Sequence, residues 1–359
     1  MTVIATEIHL VQVMNNKVAI FTDLHIGVHQ NSSFWHDVTI EWAKWFKQEV
    51  DKRGIKEIVF CGDYFHYRDE ISLLSLDIGN KVLDILNDYK IYMITGNHDC
   101  YYKETSEINS LSILKGRQNV EVCDVLSSHS TGNRKVTFCP WGTKVSDIDK
   151  SDIIFGHFEL QNFQMNAFKV CEHGDDAETL ATKAPLIISG HFHLRDEKKI
   201  NNSTILYAGN PFEMDFGDSY QKKGIYFLDI DSLKYEFVEN TFLPKHIKLT
   251  LSELITNTDF ETYCKLTLPN NIIKLIIDKN ISTEHLDALV AKMTAYKPTE
   301  LRVDYDVNYN KIKLENTAEL DLSGVVVEKA IEEFINLLDI TNKSEVIEYT
   351  TALYLRSKL

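Results

Sequence analysis

Five short apolar segments constrain the fold of this chain more than any other feature, because each is followed at once by histidine, aspartate or asparagine. The segments are KVAIFTDLH, EIVFCGDYFH, IYMITGNHD, SDIIFGHFE and LIISGHFHL. Short apolar runs of this kind are typical of strands that are buried on both faces of a sheet. One polar residue after a strand is often only part of a turn, but its recurrence after all five strands predicts a common site. The polar side chains at these strand ends are Asp23, His25, Asp63, Asn97, His157, His191 and His193.

Two amphipathic helices are predicted between the first three strands. Their segments are SSFWHDVTIEWAKWFKQEVDKRG and SLLSLDIGNKVLDILNDYK, in which apolar residues recur at helical spacing. The second helix is predicted to bury Leu74, Ile78, Val82, Ile85 and Leu86. A strand–helix–strand order indicates parallel strands with crossover helices, so the predicted fold class is α/β. Because sites in such sheets form beyond the carboxyl ends of the strands, the five strand ends can converge.

The seven strand-end side chains indicate a centre for two divalent ions. They are too many for one ion, and carboxylate, amide and imidazole ligands without a thiolate suit hard or borderline ions. We therefore expect two divalent metal ions, with Mn²⁺ favoured and Mg²⁺ or iron as alternatives. Two ions about 3.5–4 Å apart stabilise the attacking and the leaving oxygen of a phosphoryl displacement. The expected chemistry is therefore phosphoester hydrolysis.

Three residues beside these ligands are candidates for catalysis. His98 is adjacent to Asn97, but its side chain should point elsewhere, as a proton donor to the leaving oxygen would. Asp99 is predicted to orient the His98 ring. His66, three residues after Asp63, is a further candidate, and the alternative interpretation is a loop histidine exposed to solvent.

Composition mainly restricts the partners of the protein. The chain has 359 residues and a formal net charge of −15. Such a chain is a poor binder of nucleic acid unless metal ions or a second subunit supply positive charge, because phosphate contacts come from Lys and Arg. Six cysteines occur without a C-x-x-C pair, which argues against a disulfide framework or a structural zinc site.

The location expected from the sequence is cytoplasmic, without membrane contact. No apolar run approaches the roughly 20 residues of a membrane span. The N-terminus lacks the pattern of a secretory signal. Residues 1–13 have two interpretations, an additional edge strand or an upstream extension of the gene with Met14 as the working start.

The motifs TDLH, GDYFH, GNHDC, GHFE and GHFH resemble, in this order, those of the calcineurin-like metallophosphoesterases over about residues 17–230. The resemblance implies a two-sheet sandwich flanked by helices, with a site for two metal ions. It implies that His98 is the catalytic histidine. The implied ligands are Asp23, His25, Asp63 and His193 for one ion, and Asp63, Asn97, His157 and His191 for the other, with Asp63 as the bridge.

His191 and His193 are predicted to lie on the same side of an extended segment, because side chains alternate along a strand. The ligand sets implied by the resemblance nevertheless assign them to different ions. Phe192, between them, is predicted to be buried on the opposite side. Replacing either histidine should therefore weaken one metal site and not the other.

Within this superfamily, three segments resemble the SbcD-type DNA-repair nuclease subunits. GDYFH and YAGNPFEMDFGDSYQKKGIYFLDI resemble that branch, and GHFELQNFQM resembles the bacteriophage version of the subunit. The domains predicted on this basis are a nuclease domain over residues 1–245, a capping α/β domain over 246–315 and C-terminal helices over 316–359. Phosphatases and nucleotide phosphodiesterases share the core motifs, so these motifs alone do not select a substrate.

The region after the nuclease domain reads as a small α/β unit followed by two short helices. NIIKLIIDKN, STEHLDALVAKM and LRVDYDV predict a strand, a helix and a strand, either as a DNA-contacting cap or as an accessory packing domain. The first terminal helix is predicted to open at Ser323 or Gly324, and Ser344 can cap the second. The resemblance implies that these helices dock on the coiled coil of an SbcC-like ATPase. The alternative is that they pack on their own domain.

The function predicted is that of a metal-dependent DNA nuclease subunit in a phage SbcCD-like recombination and repair complex. The resemblance implies exonuclease action on duplex ends and endonuclease action on single strands. One alternative is a phosphatase or nucleotide phosphodiesterase of the same fold, and another is a non-catalytic subunit that bridges DNA ends. A homodimer is a further possibility, but the sequence shows no interface signature that would decide it.

Overall fold

The computed structural model describes residues 16–306, except 132, 167–168 and 258, and then residues 332, 335–336 and 342–356. The predictions for residues 1–13 and for the terminal helix that opens at Ser323 or Gly324 lie mostly or wholly outside the described residues. The strands are β1 Lys17–Phe21, β2 Glu57–Phe60, β3 Lys90–Ile94, β4 Val120–Cys123, β5 Ser127–Thr131, β6 Arg134–Cys139, β7 Ile153–His157, β8 Gln164–Asn166, β9 Lys169–Val170, β10 Leu186–Gly190, β11 Asp196–Ile200, β12 Ser203–Tyr207, β13 Gly224–Asp229, β14 Lys234–Glu239, β15 His246–Thr250, β16 Ile272–Ile277 and β17 Glu300–Tyr305. The helices are the single turn α1 Val28–Asn31, then α2 Ser33–Lys52, α3 Leu73–Ile85, α4 Ala177–Ala181, α5 Leu251–Thr256, α6 Phe260–Thr267, α7 Thr283–Thr294 and α8 Lys343–Arg356.

Two six-stranded sheets pack face to face and form the main body of the protein. The strand order is β14-β13-β1-β2-β3-β4 in the first sheet and β11-β12-β10-β7-β6-β5 in the second. The central strands of both sheets run parallel to their neighbours, whereas β13 pairs antiparallel with β1. The interior between the sheets is apolar on both sides and includes Val18, Ile20, Val59, Ile94, Phe138, Phe155 and Ile188. The prediction of an α/β sandwich of two sheets is confirmed.

Helices α2 and α3 cover the outer face of the first sheet. Trp42 and Phe46 of α2 pack against Phe21 of β1, with ring centroids 4.9 and 5.1 Å apart. Helix α3 begins after Ser72, whose side chain caps its first turn. The prediction that Leu74 is buried is wrong, because the buried stripe of α3 begins one residue later and Leu74 is 47% exposed.

A three-stranded parallel sheet of β15, β16 and β17 follows the sandwich. Helices α5, α6 and α7 contribute with it to a separate apolar core, which includes Leu249, Leu254, Cys264, Leu268, Ile273, Leu275 and Met293. The predicted strand, helix and strand are therefore present as β16, α7 and β17. The domain boundaries themselves stay predictions.

Helix α8 corresponds to the second predicted terminal helix. It begins at Lys343, so Ser344 lies inside the helix and does not precede it as a cap. In the part of the chain that the structure describes, no helix is long and apolar enough to cross a membrane.

Candidate metal centre

All seven predicted ligands lie at one edge of the sandwich, where strands of both sheets end. Asp23 and His25 follow β1, Asp63 follows β2, and Asn97 follows β3, all in the first sheet. His157 is the last residue of β7 in the second sheet, and His191 and His193 follow β10. The site therefore forms across the gap between the two sheets. Each sheet supplies part of it.

Asp23, His25 and His193 form the first cluster, which we call cluster A. Their ligand atoms lie within 4.8 Å of one another. The Nε2 atoms of His25 and His193 are 2.9 Å apart, and Asp23 Oδ1 is 4.0 Å from His25 Nε2. Burial lowers the pKa of His25 well below its usual value and raises that of Asp23.

Asp63, His157 and His191 form the second cluster, cluster B, with ligand atoms again within 4.8 Å of one another. Asn97 joins it through its side-chain oxygen, Oδ1, which lies 2.9 Å from His157 Nε2 and 2.8 Å from His191 Nδ1. Burial and the neighbouring His157 lower the pKa of His191 to about 3. The His191 ring is therefore neutral near neutral pH, as a metal ligand must be.

Asp63 lies between the two clusters. Its Oδ2 is 3.6 Å from His25 Nε2 in cluster A and 3.4 Å from His157 Nε2 in cluster B. Its other oxygen accepts the backbone N–H of His98 at 2.7 Å, which fixes the carboxylate plane. Among the described side chains that form the clusters, Asp63 thus has one oxygen within 3.6 Å of a histidine in each cluster.

The donor set of cluster B fits a divalent cation. His157 Nδ1 contacts the carbonyl oxygen of Cys61 at 2.7 Å, so this nitrogen carries the ring proton and Nε2 presents a lone pair. That lone pair faces the oxygens of Asn97 and Asp63, which are acceptors too. Burial lowers the pKa of His157, but the Asp63 and Asp23 carboxylates and the contact with the Cys61 carbonyl together raise it to about 9. The converging lone pairs therefore require positive charge, either a proton or a metal ion that displaces it.

Two glycines allow the strand ends to approach this closely. Gly62 has φ of 101°, and a Cβ there would overlap His157 Nδ1 from the opposite sheet. A Cβ on Gly96 would overlap the carboxylate and backbone nitrogen of Asp63. The glycines of the GD and GN motifs are thus required by packing between ligand-bearing loops.

The backbone turns sharply at several ligands. Asp23, His25, Asp63 and His191 have φ values of 51°, 46°, 63° and 92°, in the left-handed region. The predicted extended arrangement of His191 and His193 is therefore wrong, because β10 ends at Gly190 and the chain turns at His191. The two histidines nevertheless lie in different clusters. Phe192 is buried, as predicted.

His98 and His66 lie beside cluster A. The His98 ring stands perpendicular to the His25 ring with centroids 4.7 Å apart, and it stacks on the His66 ring at 5.4 Å. His98 Nδ1 contacts the backbone carbonyl oxygen of His66 at 2.6 Å, which holds the ring in one orientation. Burial and the nearby His98 lower the pKa of His66 to about 4. His66 is partly buried and not the solvent-exposed histidine of the alternative interpretation.

Asp99 has a different task from the predicted one. Its carboxylate accepts the backbone N–H groups of Asp63, Tyr64 and Gly96 at 2.9, 3.0 and 2.9 Å. The prediction that it orients the His98 ring is wrong, since a backbone carbonyl fills that position. Asp99 instead joins the loops that follow β2 and β3, and thereby positions Asp63.

A buried ion pair that sequence reasoning missed holds the backbone at His193. Lys223 is 4% exposed and donates to the His193 carbonyl oxygen at 2.7 Å and to Asp218 Oδ1 at 2.6 Å. Asp218 also accepts the Met214 N–H and the Asn210 amide, both at 2.9 Å. Burial raises the pKa of Asp218, but the charges of Lys223 and His193 and the hydrogen bonds from Lys223 and Met214 together outweigh this and leave the pKa lowered. The QKKG stretch contains this lysine, but nothing in the sequence marks it as buried.

Comparison with known proteins identifies the family. Residues 16–195 match the family described as calcineurin-like phosphoesterases. The chain therefore belongs to the calcineurin-like phosphoesterase family, which is known for bound divalent metal ions, and the resemblance found in the motifs is confirmed.

Two viral relatives and one solved structure illustrate the likeness. The chain is 25% identical over 357 residues to exonuclease subunit 1 of Enterobacteria phage T4, covering 95% of this chain and 99% of that protein. It is 22% identical over 268 residues to an uncharacterised protein of Acanthamoeba polyphaga mimivirus, covering 69% of this chain and 18% of that protein. A dimetal phosphatase from Danio rerio is 10% identical, with a TM-score of 0.39, over 60% of this chain and 92% of that chain.

Proposed function

We propose that this protein is the nuclease subunit of a DNA-processing complex and hydrolyses phosphodiester bonds with two divalent metal ions. The observation that carries the proposal is the position of Asp63, whose Oδ2 lies 3.6 Å from a histidine of cluster A and 3.4 Å from one of cluster B. DNA as substrate is supported by the relative that is named an exonuclease subunit. The proposed reactions are exonuclease action on duplex ends and endonuclease action on single strands.

The proposed ligands divide between the two ions as the clusters do. Cluster A with Asp63 would hold one ion, and cluster B with Asn97 would hold the other. Bound divalent ions supply positive charge that neutralises the phosphate oxygens as the phosphodiester reacts. Mn²⁺ is the ion we favour, and Mg²⁺ and iron are alternatives because oxygen and imidazole ligands suit all three.

His98 is proposed to protonate the leaving 3′ oxygen. Its Nδ1 is occupied by the His66 carbonyl oxygen, so Nε2 is the ring atom left for the substrate. His66 stacks on the His98 ring and limits its rotation. Asp99 is proposed to act indirectly, by keeping the loop of Asp63 in place.

The partner proposed is an SbcC-like coiled-coil ATPase. With a net charge of −15, the chain itself offers little attraction for DNA phosphates, and a second subunit can supply a basic surface. We propose that residues 1–245 form the nuclease domain, 246–315 the capping domain and 316–359 the docking helices. A homodimer and a cytoplasmic location complete the proposal.

The proposed function is tested with purified protein, linear duplex DNA and single-stranded circular DNA. With Mn²⁺ we expect both DNAs to be degraded, and duplex DNA to be degraded faster when the ATPase partner and ATP are added. Chelation of divalent ions should stop the reaction, and renewed Mn²⁺ should restore it. Protein that leaves DNA intact with the partner present, but hydrolyses small phosphomonoesters, would be a phosphatase instead. DNA end bridging without hydrolysis would support the architectural alternative.

Removal of residues 323–359 should abolish binding to the ATPase partner and leave basal Mn²⁺-dependent hydrolysis within about threefold of the full chain. The basis is that α8 presents apolar side chains on its surface, with Val346 and Ile347 half-buried and Tyr349 exposed. Co-purification with the partner and an assay of the subunit alone measure the two effects. If the shortened chain still binds the partner, these helices are not the docking element.

A further inference from the structure

A cavity of about 250 Å³ opens beside cluster B. Its wall includes the ligand His157 together with Trp141, Lys103 and Lys144. A molecule in this cavity therefore lies next to the metal centre. The volume is slightly below the roughly 300–1,000 Å³ typical of sites for drug-sized ligands, and suits a group as small as one nucleoside.

Trp141 is held rigidly at the border between the cavity and the ligands. Its ring centroid is 5.1 Å from that of His191 and 5.9 Å from that of His157. Its indole N–H donates to the Lys103 carbonyl oxygen at 2.7 Å, and its backbone N–H donates to Thr95 at 2.9 Å. The side chain is only half-buried, so part of the indole surface is open to the cavity.

The cavity lining carries charges of both signs. Lys103 and Lys144 are exposed, and within the described residues neither forms an ion pair with a carboxylate. The same lining carries the carboxylates of Glu104, Glu159 and Asp175. Ammonium groups contact phosphate oxygens, whereas carboxylates accept hydrogen bonds from the exocyclic amino groups of bases.

We propose that this cavity binds a single unpaired nucleotide adjacent to the scissile phosphodiester, with its base stacked on Trp141 and the strand backbone along Lys103 and Lys144. The inference rests on the proposed nuclease function and adds the form of its substrate. A base inside a duplex is paired and stacked on both sides, so only a base that has left the helix can enter. The subsite therefore selects single strands and frayed or distorted ends. Stacking on an indole is tolerant of base identity, which suits a nuclease without sequence preference.

The test compares two single-stranded oligonucleotides of the same sequence, one of which has an abasic residue next to the cleaved bond. Trp141→Ala should raise KM for the intact oligonucleotide by about tenfold or more, since stacking contributes about 1–3 kcal/mol per base, and should change kcat by less than about threefold. On the abasic oligonucleotide the same substitution should have little effect, because the stacked base is already missing. Trp141→Phe should restore most of the affinity.

Trp45→Ala is the matched control for Trp141→Ala, since Trp45 contacts Phe242 on the outer side of the first sheet.

The double substitution Lys103→Gln with Lys144→Gln tests the phosphate contacts. It should reduce the salt dependence of KM by about 1.4 log units per log unit of salt, at about 0.7 per phosphate contact. Lys44→Gln, in an exposed pair with Glu41, should leave that slope unchanged.

The outcomes separate this inference from the proposed function. Equal effects of Trp141→Ala on KM for both oligonucleotides, or no effect on either, would overturn the proposed subsite. Hydrolysis by the native chain would in that case still support the proposed nuclease function. Failure of the native chain to cleave either oligonucleotide would overturn both proposals. Thermal melting followed by circular dichroism verifies that each variant is folded, and Trp141→Phe provides the comparison if the alanine variant is not.

Discussion

Asp63→Asn is expected to abolish binding of at least one metal ion and to lower phosphodiester hydrolysis by about a thousandfold or more. The carboxylate is the one described side chain within 3.6 Å of histidines in both clusters, so its loss affects both metal positions. An asparagine fills the same volume but removes the negative charge and turns one acceptor into a donor. Bound ions contribute several kcal/mol to such reactions, and each 1.36 kcal/mol corresponds to a factor of ten in rate.

Metal content per chain, measured by mass spectrometry after gel filtration, shows the binding loss independently of activity. Asp88→Asn is the matched control, because this exposed aspartate pairs with Lys47 on the outer surface of the molecule. Its metal content and hydrolysis rate should equal those of the native chain. An Asp63→Asn protein with two ions per chain and an unchanged rate would contradict the bridging role.

His98→Ala is expected to lower kcat by about a hundred- to ten-thousandfold, the range typical of lost general acid catalysis, while both metal ions stay bound. The ring lies beside His25 but contributes no atom to either cluster as we define them, so its removal should leave the ligands in place. The retained backbone N–H of residue 98 still fixes Asp63. A variant with native metal content and low kcat therefore separates proton transfer from metal binding.

The control for His98 is His285→Ala, since His285 lies at the exposed start of α7 and its ring contacts the cap residue Ser282. Its kcat should be unchanged. If His98→Ala retained more than about a tenth of the native kcat with DNA, the leaving oxygen would receive its proton from another source.

The strands and the residues gathered at their ends were predictable because two local signals coincide there. A short apolar run identifies a buried strand, and a polar side chain directly after it must lie at the strand's carboxyl end. The expectation of two sheets came from the family resemblance, and the sheet to which each strand belongs was not predicted. Local periodicity does not encode it, because β3 and β7 read alike although they belong to opposite sheets.

What sequence reasoning missed depends on backbone geometry and long-range contacts. Alternation failed at His191 because the strand ends at Gly190 and the backbone turns at His191, before the two histidines can extend side by side. The partner of the His98 ring was missed because it is a backbone carbonyl, which every residue possesses. Lys223 was missed because burial of a lysine depends on Asp218 and on the His193 carbonyl, contacts that only the folded chain creates.

The left-handed backbone at Asp23, His25, Asp63 and His191 lowers the stability of the fold at residues that are proposed to serve its function. Such a conformation costs on the order of 1–3 kcal/mol at a non-glycine residue, and glycine adopts it without that cost. A laboratory selection for thermal tolerance alone would therefore favour glycine at these four positions, which are the proposed ligands of the ions. Engineering of a more heat-resistant form should exclude these four positions from mutagenesis and draw its gains from the helices and outer strands.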